Sequence, residues 1–413
     1  SSLFQIYEEL KRYTGLAILP VYGDKRSINR ILKNHYWEKY DGIVVPHSAI
    51  SQTLEFNRFL AQNLYAFKFL GLDESSIVKN PKSQRYEIMS ELAKHFKRKV
   101  FLNGTVFETS LLDFYYQLDL LDQKMLPSKT KILDTYAILD KSHFFYVGYG
   151  KRRYVPKIVG YKFQDIFKES VANFYLGRGK AEVYDQLPQH NYRIIPIVPT
   201  KLMYKYMTPS NYDVVLNSPE TSMEGVPIQL NQSQVPKLAK AVELTEECLR
   251  NGTVVIYCRY RAAQHALQRE IESTIPHAKV AILNGEIVGE EREEVRTKFN
   301  EGHYNVLIMN IEKEINLPHA QSLIFYTMSN VAMTNYQIMC RIDRNNTLIK
   351  KDYYFMVYIN SPESDNLANT IYDREFQANA FTGKENEVFK ELKTQLESIL
   401  AEQDTYIQEV GVH

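Results

Sequence analysis

The chain has 413 residues, 44% of them hydrophobic, which is enough apolar side chain for two cores of ordinary size and excludes a disordered polypeptide. Its 50 basic and 49 acidic residues leave a formal charge of +1, so any nucleic-acid surface has to be a local basic groove on a neutral body. Cys248, Cys258 and Cys340 stand far apart in no Cys-x-x-Cys or Cys/His spacing, and the chain has neither a run of about 18 apolar residues nor a signal-peptide pattern; these features argue against a zinc site and a membrane or secretory role, and for reduced thiols in a cytoplasmic protein.

In chain order, Ser1 to Leu10 predicts a helix, with Ser2 and Gln5 as a capping box, Leu3, Ile6, Tyr7 and Leu10 on one face, and Gly15 as its stop. Strand-like Leu16 to Tyr22 and Gly42 to Pro46 follow, separated by a basic helix near Lys25 to Lys33, and His47-Ser48 comes directly after the second strand. The alternation predicts a parallel sheet. Phe67 to Leu72 fits a buried parallel strand, and Asp73-Glu74 at its carboxyl end sits where open α/β sheets place their ligands. That is a Walker-B arrangement, in which Asp73 holds Mg2+ and Glu74 orients and polarises the water that attacks a γ-phosphate.

Beyond Arg85 an amphipathic helix to about Lys97 precedes the strand-turn Val100-Phe101-Leu102-Asn103-Gly104-Thr105. Leu111 to about residue 190 is expected to be a helical, aromatic-rich insertion carrying the basic cluster Tyr149 to Tyr154. Residues 217–232 hold Ser, Pro, Gly, Asn and Gln and read as a linker between a first lobe, 1–216, and a second, 233–360. In the second lobe a helix from about Gln234 to Arg250 leads into the strand Val254 to Cys258. Further strands are expected at Val280 to Leu283, Tyr304 to Met309 and Tyr353 to Ile359, with a helix at Glu290 to Phe299. Gln337, Arg341 and Arg344 fall at i, i+4 and i+7 on one helical face, so their side chains can address one neighbour. Guanidinium groups suit a transferring phosphoryl, being always charged and presenting a planar fork of donors. Residues 361–413 read as a charged helical extension, a brace or a partner surface.

Asp-Glu-x-x-x-x-Lys-Asn-x-x-Ser-x-Arg from Asp73, and Gln-x-x-x-Arg-x-x-Arg from Gln337, resemble the second and sixth motifs of the SWI/SNF-type helicase-like ATPases of helicase superfamily two. The resemblance extends in order and spacing over residues 1 to about 360. It implies two RecA-like lobes, parallel sheets flanked by helices, and an ATP- and Mg2+-dependent translocase on double-stranded or branched DNA. Asp73, Glu74, Gln337, Arg341 and Arg344 would carry catalysis, with Gly104 and Thr105 beside the nucleotide. Ser2, His47, Ser48, Lys79, Asn80, Arg292 and Asn316 would meet DNA, and the C-terminal tail would be open to a protein partner.

Three departures mark a divergent member, bacterial or phage-encoded: Ser75-Ser76 where the family has Ala-His, Asn103 for threonine, and Asn310 to Glu314 where the fifth motif has a glycine-rich loop. A P-loop, Gly-x-x-x-x-Gly-Lys-Ser/Thr, is found nowhere in the 413 residues. In the family it lies just ahead of the motif at Ser2, so the expectation is a first lobe cut at its N-terminus, with a split gene or a degenerate ATPase as alternatives. A pseudo-ATPase clamp and a strand-separating DNA or RNA helicase remain the competing functions.

Overall fold

A computed structural model describes residues 2–33, 36–52, 54–103, 111–122, 126–140, 144–147, 151–154, 157–174, 176, 190–200, 203, 222–223, 226–227, 235–287, 290–310, 315–329, 332–343, 349–359, 361, 363–364, 367–368, 371 and 387–401. The chain divides into two compact units, residues 1–171 and 172–413.

In the first unit, α1 (Ser2–Thr14) stops at Gly15, whose φ of +67° lies in the left-handed region that glycine enters without a Cβ penalty. β1 (Ile18–Pro20) and β2 (Gly42–Val44) pair in parallel, joined by α2 (Lys25–Lys33), which buries Ile28 and Leu32, and by a 3-10 turn, Tyr36–Lys39. After α3 (His47–Gln52) and α4 (Leu54–Asn63), β3 (Phe69–Leu72) pairs in parallel with β4 (Arg98–Phe101) across α5 (Gln84–Ala93). Ser83 caps α5, its hydroxyl accepting the Tyr86 N–H at 3.2 Å. One core collects Trp37, Phe56, Leu72, Val78 and Met89, with Phe67 stacked on Trp37 at 5.7 Å.

The expectation that the strand before Asp73 is buried needs correction. Leu72 is buried and Leu70 half-buried against the core, but Phe69 is 56% exposed and Gly71 is exposed too. Among the described residues β3 has one partner strand and one covered face, so its side chains alternate in and out rather than being enclosed on both sides.

The stretch expected to be helical is half strand. α6 (Leu111–Leu121) and α7 (Lys129–Tyr136) lead into β5 (Ala137–Asp140), β6 (Phe144–Val147), β7 (Lys151–Tyr154) and β8 (Lys157–Tyr161), and α8 (Gln164–Val171) follows. β5 pairs antiparallel with β8 and β6 with β7, as segments rich in β-branched and aromatic residues do. The basic-aromatic cluster thus ends in a strand, β7.

In the second unit β9 (Asn191–Ile197) is followed by a two-residue pair, β10 (Ser222–Met223) with β11 (Val226–Pro227), the described part of the expected linker. Then come α9 (Pro236–Leu249), β12 (Val254–Tyr257), α10 (Arg261–Thr274), β13 (Val280–Leu283), α11 (Glu290–Asn300), β14 (Val306–Met309), β15 (Ser322–Phe325), α12 (Ala332–Ile342), β16 (Asp352–Tyr358) and α13 (Glu387–Ala401). Six strands form one all-parallel sheet in the order β13-β14-β12-β15-β16-β9. Its central strands, Val-Val-Ile-Tyr, Val-Leu-Ile-Met and Ser-Leu-Ile-Phe, are buried along their whole length because helices cover both faces. Val255, Leu307 and Leu323 point to the side holding α11, α12 and α13, and Val254, Ile256 and Ile308 to the side holding α9 and α10. This is the architecture of a RecA-like lobe.

β9 lies within the span expected for the first lobe, yet it is hydrogen-bonded into the second unit's sheet at the edge beside β16. Asn191 donates to Lys351 and Ile197 accepts from Ile359, so the odd-numbered residues face β16 and the even-numbered ones face outward. Pro196, which has no N–H to give, therefore sits where no ladder bond is lost. α13 covers that edge: the Gln395 side chain accepts from Ile194 N–H at 2.9 Å and donates to the Tyr192 carbonyl at 2.8 Å, while Leu392 and Leu396 are buried. The described part of the C-terminal extension is thus a brace on its own sheet.

Candidate functional site

The Asp73-Glu74 turn is held from three sides. Leu102 donates its N–H to the Leu72 carbonyl at 2.8 Å, and Ser75 donates to the Leu102 carbonyl at 2.9 Å, tying the end of β3 to the end of β4. Glu74 adopts φ 49°, ψ 53°, a left-handed conformation that costs a non-glycine residue about 1–2 kcal/mol. Below it the Ser75 side chain, 2% exposed, donates to Gln117 Oε1 at 2.6 Å, and Gln117 donates its amide to the Asp113 carbonyl at 2.9 Å. The serine found where the family has alanine is therefore a structural donor, and α6 braces the turn. Asp73 is half-buried and Glu74 exposed. A half-buried carboxylate at a strand end fits Mg2+, which takes one or two protein carboxylates and fills its remaining positions with water and phosphate oxygens. The β/γ-phosphates of ATP fit less well, since the 413 residues hold no P-loop to cradle them.

The remaining first-unit candidates fall on separate elements. Ser2 opens α1, its side chain outside the described residues; His47 and Ser48 form the first turn of α3, both half-buried. Lys79 is half-buried at the end of the 3-10 turn Ser75–Val78. Asn80 is committed in part to the chain itself: its Oδ1 accepts the Lys82 N–H at 3.0 Å and its carbonyl accepts the Ser83 hydroxyl at 2.8 Å, a turn that leads into the α5 cap. Asn103 is half-buried, and Gly104 and Thr105 lie outside the described residues.

In the second unit, α12 carries Gln337 and Arg341, both half-buried and one turn apart, beside the inward-facing Ile338 and Ile342. The helix ends at Ile342, and Arg344 lies outside the described residues. Contacts at both ends, which the motif pattern does not reveal, fix this helix. At its start the Asn335 side chain, 1% exposed, accepts from Ser329 N–H and donates to the Ser329 carbonyl, each at 2.8 Å. At its end the Arg341 carbonyl accepts the Leu317 N–H at 2.9 Å, and Asp343 approaches His190 Nε2 at 3.4 Å. His190 Nδ1 in turn accepts the Lys351 N–H at 3.1 Å, which leaves the neutral ring's proton on Nε2, toward Asp343. Burial lowers the Lys351 amine, with Asp343 acting in the opposite sense; the amine donates to the Pro318 and Ala320 carbonyls.

Arg292 is half-buried on α11, its Nε enclosed without an acceptor among the described residues, whereas Arg296 and Lys298 make that helix's ion pairs with Glu293 and Glu294. Asn316 is half-buried, and its carbonyl accepts the Asn300 amide at 3.1 Å. The divergent loop after β14 lies outside the described residues from 311 to 314. At the carboxyl end of the sheet the fully buried Lys237 ammonium meets both Glu363 oxygens at 2.9 Å, between the rings of Tyr358 and Tyr326 at 4.9 and 5.4 Å. Burial pushes the neighbouring Cys258 thiol up to about 12.

Residues 236–346, from α9 to just beyond α12, match the helicase conserved C-terminal domain. Over those residues the chain is similar to helicases. The transcription-repair-coupling factor of Helicobacter pylori strain J99 is 31% identical to it over 101 residues, 24% of this chain and 10% of that protein. The factor of Borreliella burgdorferi is 27% identical over 121 residues, 29% of this chain and 10% of that one. The chain thus aligns with about a tenth of the length of these curated relatives. A solved Sulfolobus solfataricus SWI2/SNF2 ATPase core in complex with dsDNA overlaps 99% of this chain and 82% of its own at 17% identity. Its TM-score of 0.35 is too low to carry an argument.

Proposed function

We propose that this helicase-like chain is the core of an ATP- and Mg2+-dependent motor of the SWI/SNF type that moves along double-stranded or branched DNA. The observation that carries the reading is the motif helix α12: Gln337 and Arg341 stand on one side of it, within the helicase C-terminal domain. The Asp73-Glu74 turn supports it from the first unit. Mg2+ would neutralise phosphate charge when bound, and Asp73 would hold it. Glu74 orients and polarises the attacking water, and its exposed carboxylate on a braced turn suits that task. Arg341 and Arg344 stabilise charge on the transferring phosphoryl, with Gln337, Gly104 and Thr105 beside the nucleotide. Ser2, His47, Ser48, Lys79, Asn80, Arg292 and Asn316 supply contacts to phosphates rather than bases, so DNA binding depends weakly on sequence and steeply on salt. A protein partner, where there is one, meets the C-terminal tail in the cytoplasm.

A second reading is a clamp that binds DNA without hydrolysis; these 413 residues hold no P-loop. By the same token, the 413 residues hydrolyse no ATP alone. Triplex displacement and forked-duplex unwinding, run side by side with ATP and a P-loop unit joined ahead of Ser1, separate the functions. The motor reading expects triplex displacement without unwinding. Unwinding without triplex displacement would make the protein a helicase, and inactivity in both with tight DNA binding would make it a clamp.

A further inference from the structure

α2 carries a pronounced positive charge in the first unit, outside the motifs. Its nine residues, Lys-Arg-Ser-Ile-Asn-Arg-Ile-Leu-Lys, contain four basic side chains and no acidic one, in a chain whose net charge is only +1. The helix is fixed to its unit by the buried Ile28 and Leu32, and this orientation leaves Lys25, Arg26, Arg30 and Lys33 exposed. Arg26, Arg30 and Lys33 follow one another at i, i+4 and i+7, so they form a single stripe.

At 1.5 Å per residue the stripe is about 10 Å long, the axial height of about three successive phosphates of one DNA strand at 3.4 Å each. Asp24, the acidic residue before the helix, lies near Arg30, but its Oδ1 is engaged by the Ser27 N–H at 2.8 Å. Of the elements packed on α2, the 3-10 turn brings Glu38 and Lys39, and α4 contains Glu55 as well as the exposed Arg58. The balance on this side stays basic. None of the seven motif residues expected to meet DNA lies on α2.

We infer that α2 is an additional backbone contact for duplex DNA, with Arg26, Arg30 and Lys33 each meeting a phosphate. The inference rests on the reading of the chain as a DNA-binding motor and adds a contact outside its motifs. Arginine forks make the first two contacts directional, and the lysine acts as a point charge. Because phosphates carry no base identity, the contact adds affinity and salt dependence without sequence preference.

The test is fluorescence anisotropy of a labelled random-sequence duplex titrated with the 413-residue chain between about 50 and 200 mM salt. Each phosphate contact contributes about 0.9 to the slope of log affinity against log salt, so the Arg26→Ala/Arg30→Ala/Lys33→Ala variant should show a slope shallower by about 2.7. Arg30→Ala alone should account for about 0.9 of that, and Arg26→Lys/Arg30→Lys should keep the wild-type slope. The side chains are exposed, so unchanged Trp37 fluorescence verifies the fold. An unchanged slope in the triple variant, with wild-type binding intact, overturns the α2 contact and leaves the DNA reading standing. Wild-type protein without affinity for duplex overturns both. Loss confined to single-stranded RNA or anionic vesicles, with duplex affinity unaltered, would also refute the inference.

Discussion

The bond from Ser75 to Gln117 can be measured because the chain has one tryptophan and that residue is buried in the first unit's core. Trp37 packs against Phe59 and Phe67, so its fluorescence reports unfolding of the first unit without a signal from the second. Ser75 and Gln117 are 2% and 4% exposed and share a hydrogen bond of 2.6 Å. Ser75→Ala leaves Gln117 Oε1 without that donor, and Gln117→Leu leaves the serine hydroxyl without that acceptor; stranding a buried polar group costs about 1–3 kcal/mol. Removing both leaves no orphan from the pair, so the double variant should be destabilised by less than the sum of the singles, with a coupling of about 1–2 kcal/mol. Urea titrations followed by tryptophan fluorescence supply the cycle. Additive losses, or singles within about 0.3 kcal/mol of wild type, would show that α6 does not brace the Asp73-Glu74 turn through this bond.

Lys237→Met removes the cation beside the buried Glu363 carboxylate and should cost about 3–5 kcal/mol by circular dichroism melts, with Glu363→Gln in the same chain recovering part of it. Gly252→Ala should destabilise the second unit by about 1–3 kcal/mol, since φ is +147° there and an added Cβ would stand 2.9 Å from Gln321 Cβ; wild-type stability would contradict the backbone geometry. Burial raises the Cys248 and Cys258 thiols to about 11 and about 12, so in the native protein at neutral pH a thiol reagent should modify half-exposed Cys340 first and those two only on unfolding. Equal rates for all three would refute that burial.

The second unit was the more legible half, because its strands are uninterrupted apolar runs that only a sheet covered on both faces accommodates. β15 is the exception: Ser322–Phe325 is as long as β12 and β14 but is not among the expected strands, since it opens on a serine and nothing local separates it from the preceding loop. β9 falls in the span expected for the first lobe because its partner β16 lies about 160 residues away, as in the Asn191 side-chain bond to Asp352, and no local pattern reveals that pairing. The strands of the 111–190 insertion were obscured by aromatic and basic residues that suit several local structures. At the candidate site, Asp73-Glu74 and Gln337-Arg341 are patterns of neighbours and could be read directly. Gln117 and His190 could not: each acts on a motif from a distant element, and neither belongs to a pattern of its own. Asn80 shows the reverse limit, a residue singled out for DNA whose carbonyl and side-chain oxygen shape a turn.

The central claim of the proposed function is that Glu74 and Arg341 each serve ATP hydrolysis. Its most direct measurement is DNA-stimulated ATP turnover by the chain extended with a P-loop unit ahead of Ser1, compared with its Glu74→Gln and Arg341→Ala variants. The account predicts turnover abolished by Glu74→Gln and lowered on the order of 10³-fold in kcat by Arg341→Ala, with nucleotide affinity largely retained. Turnover by the 413-residue chain alone, or turnover in the extended protein untouched by Glu74→Gln, would contradict it.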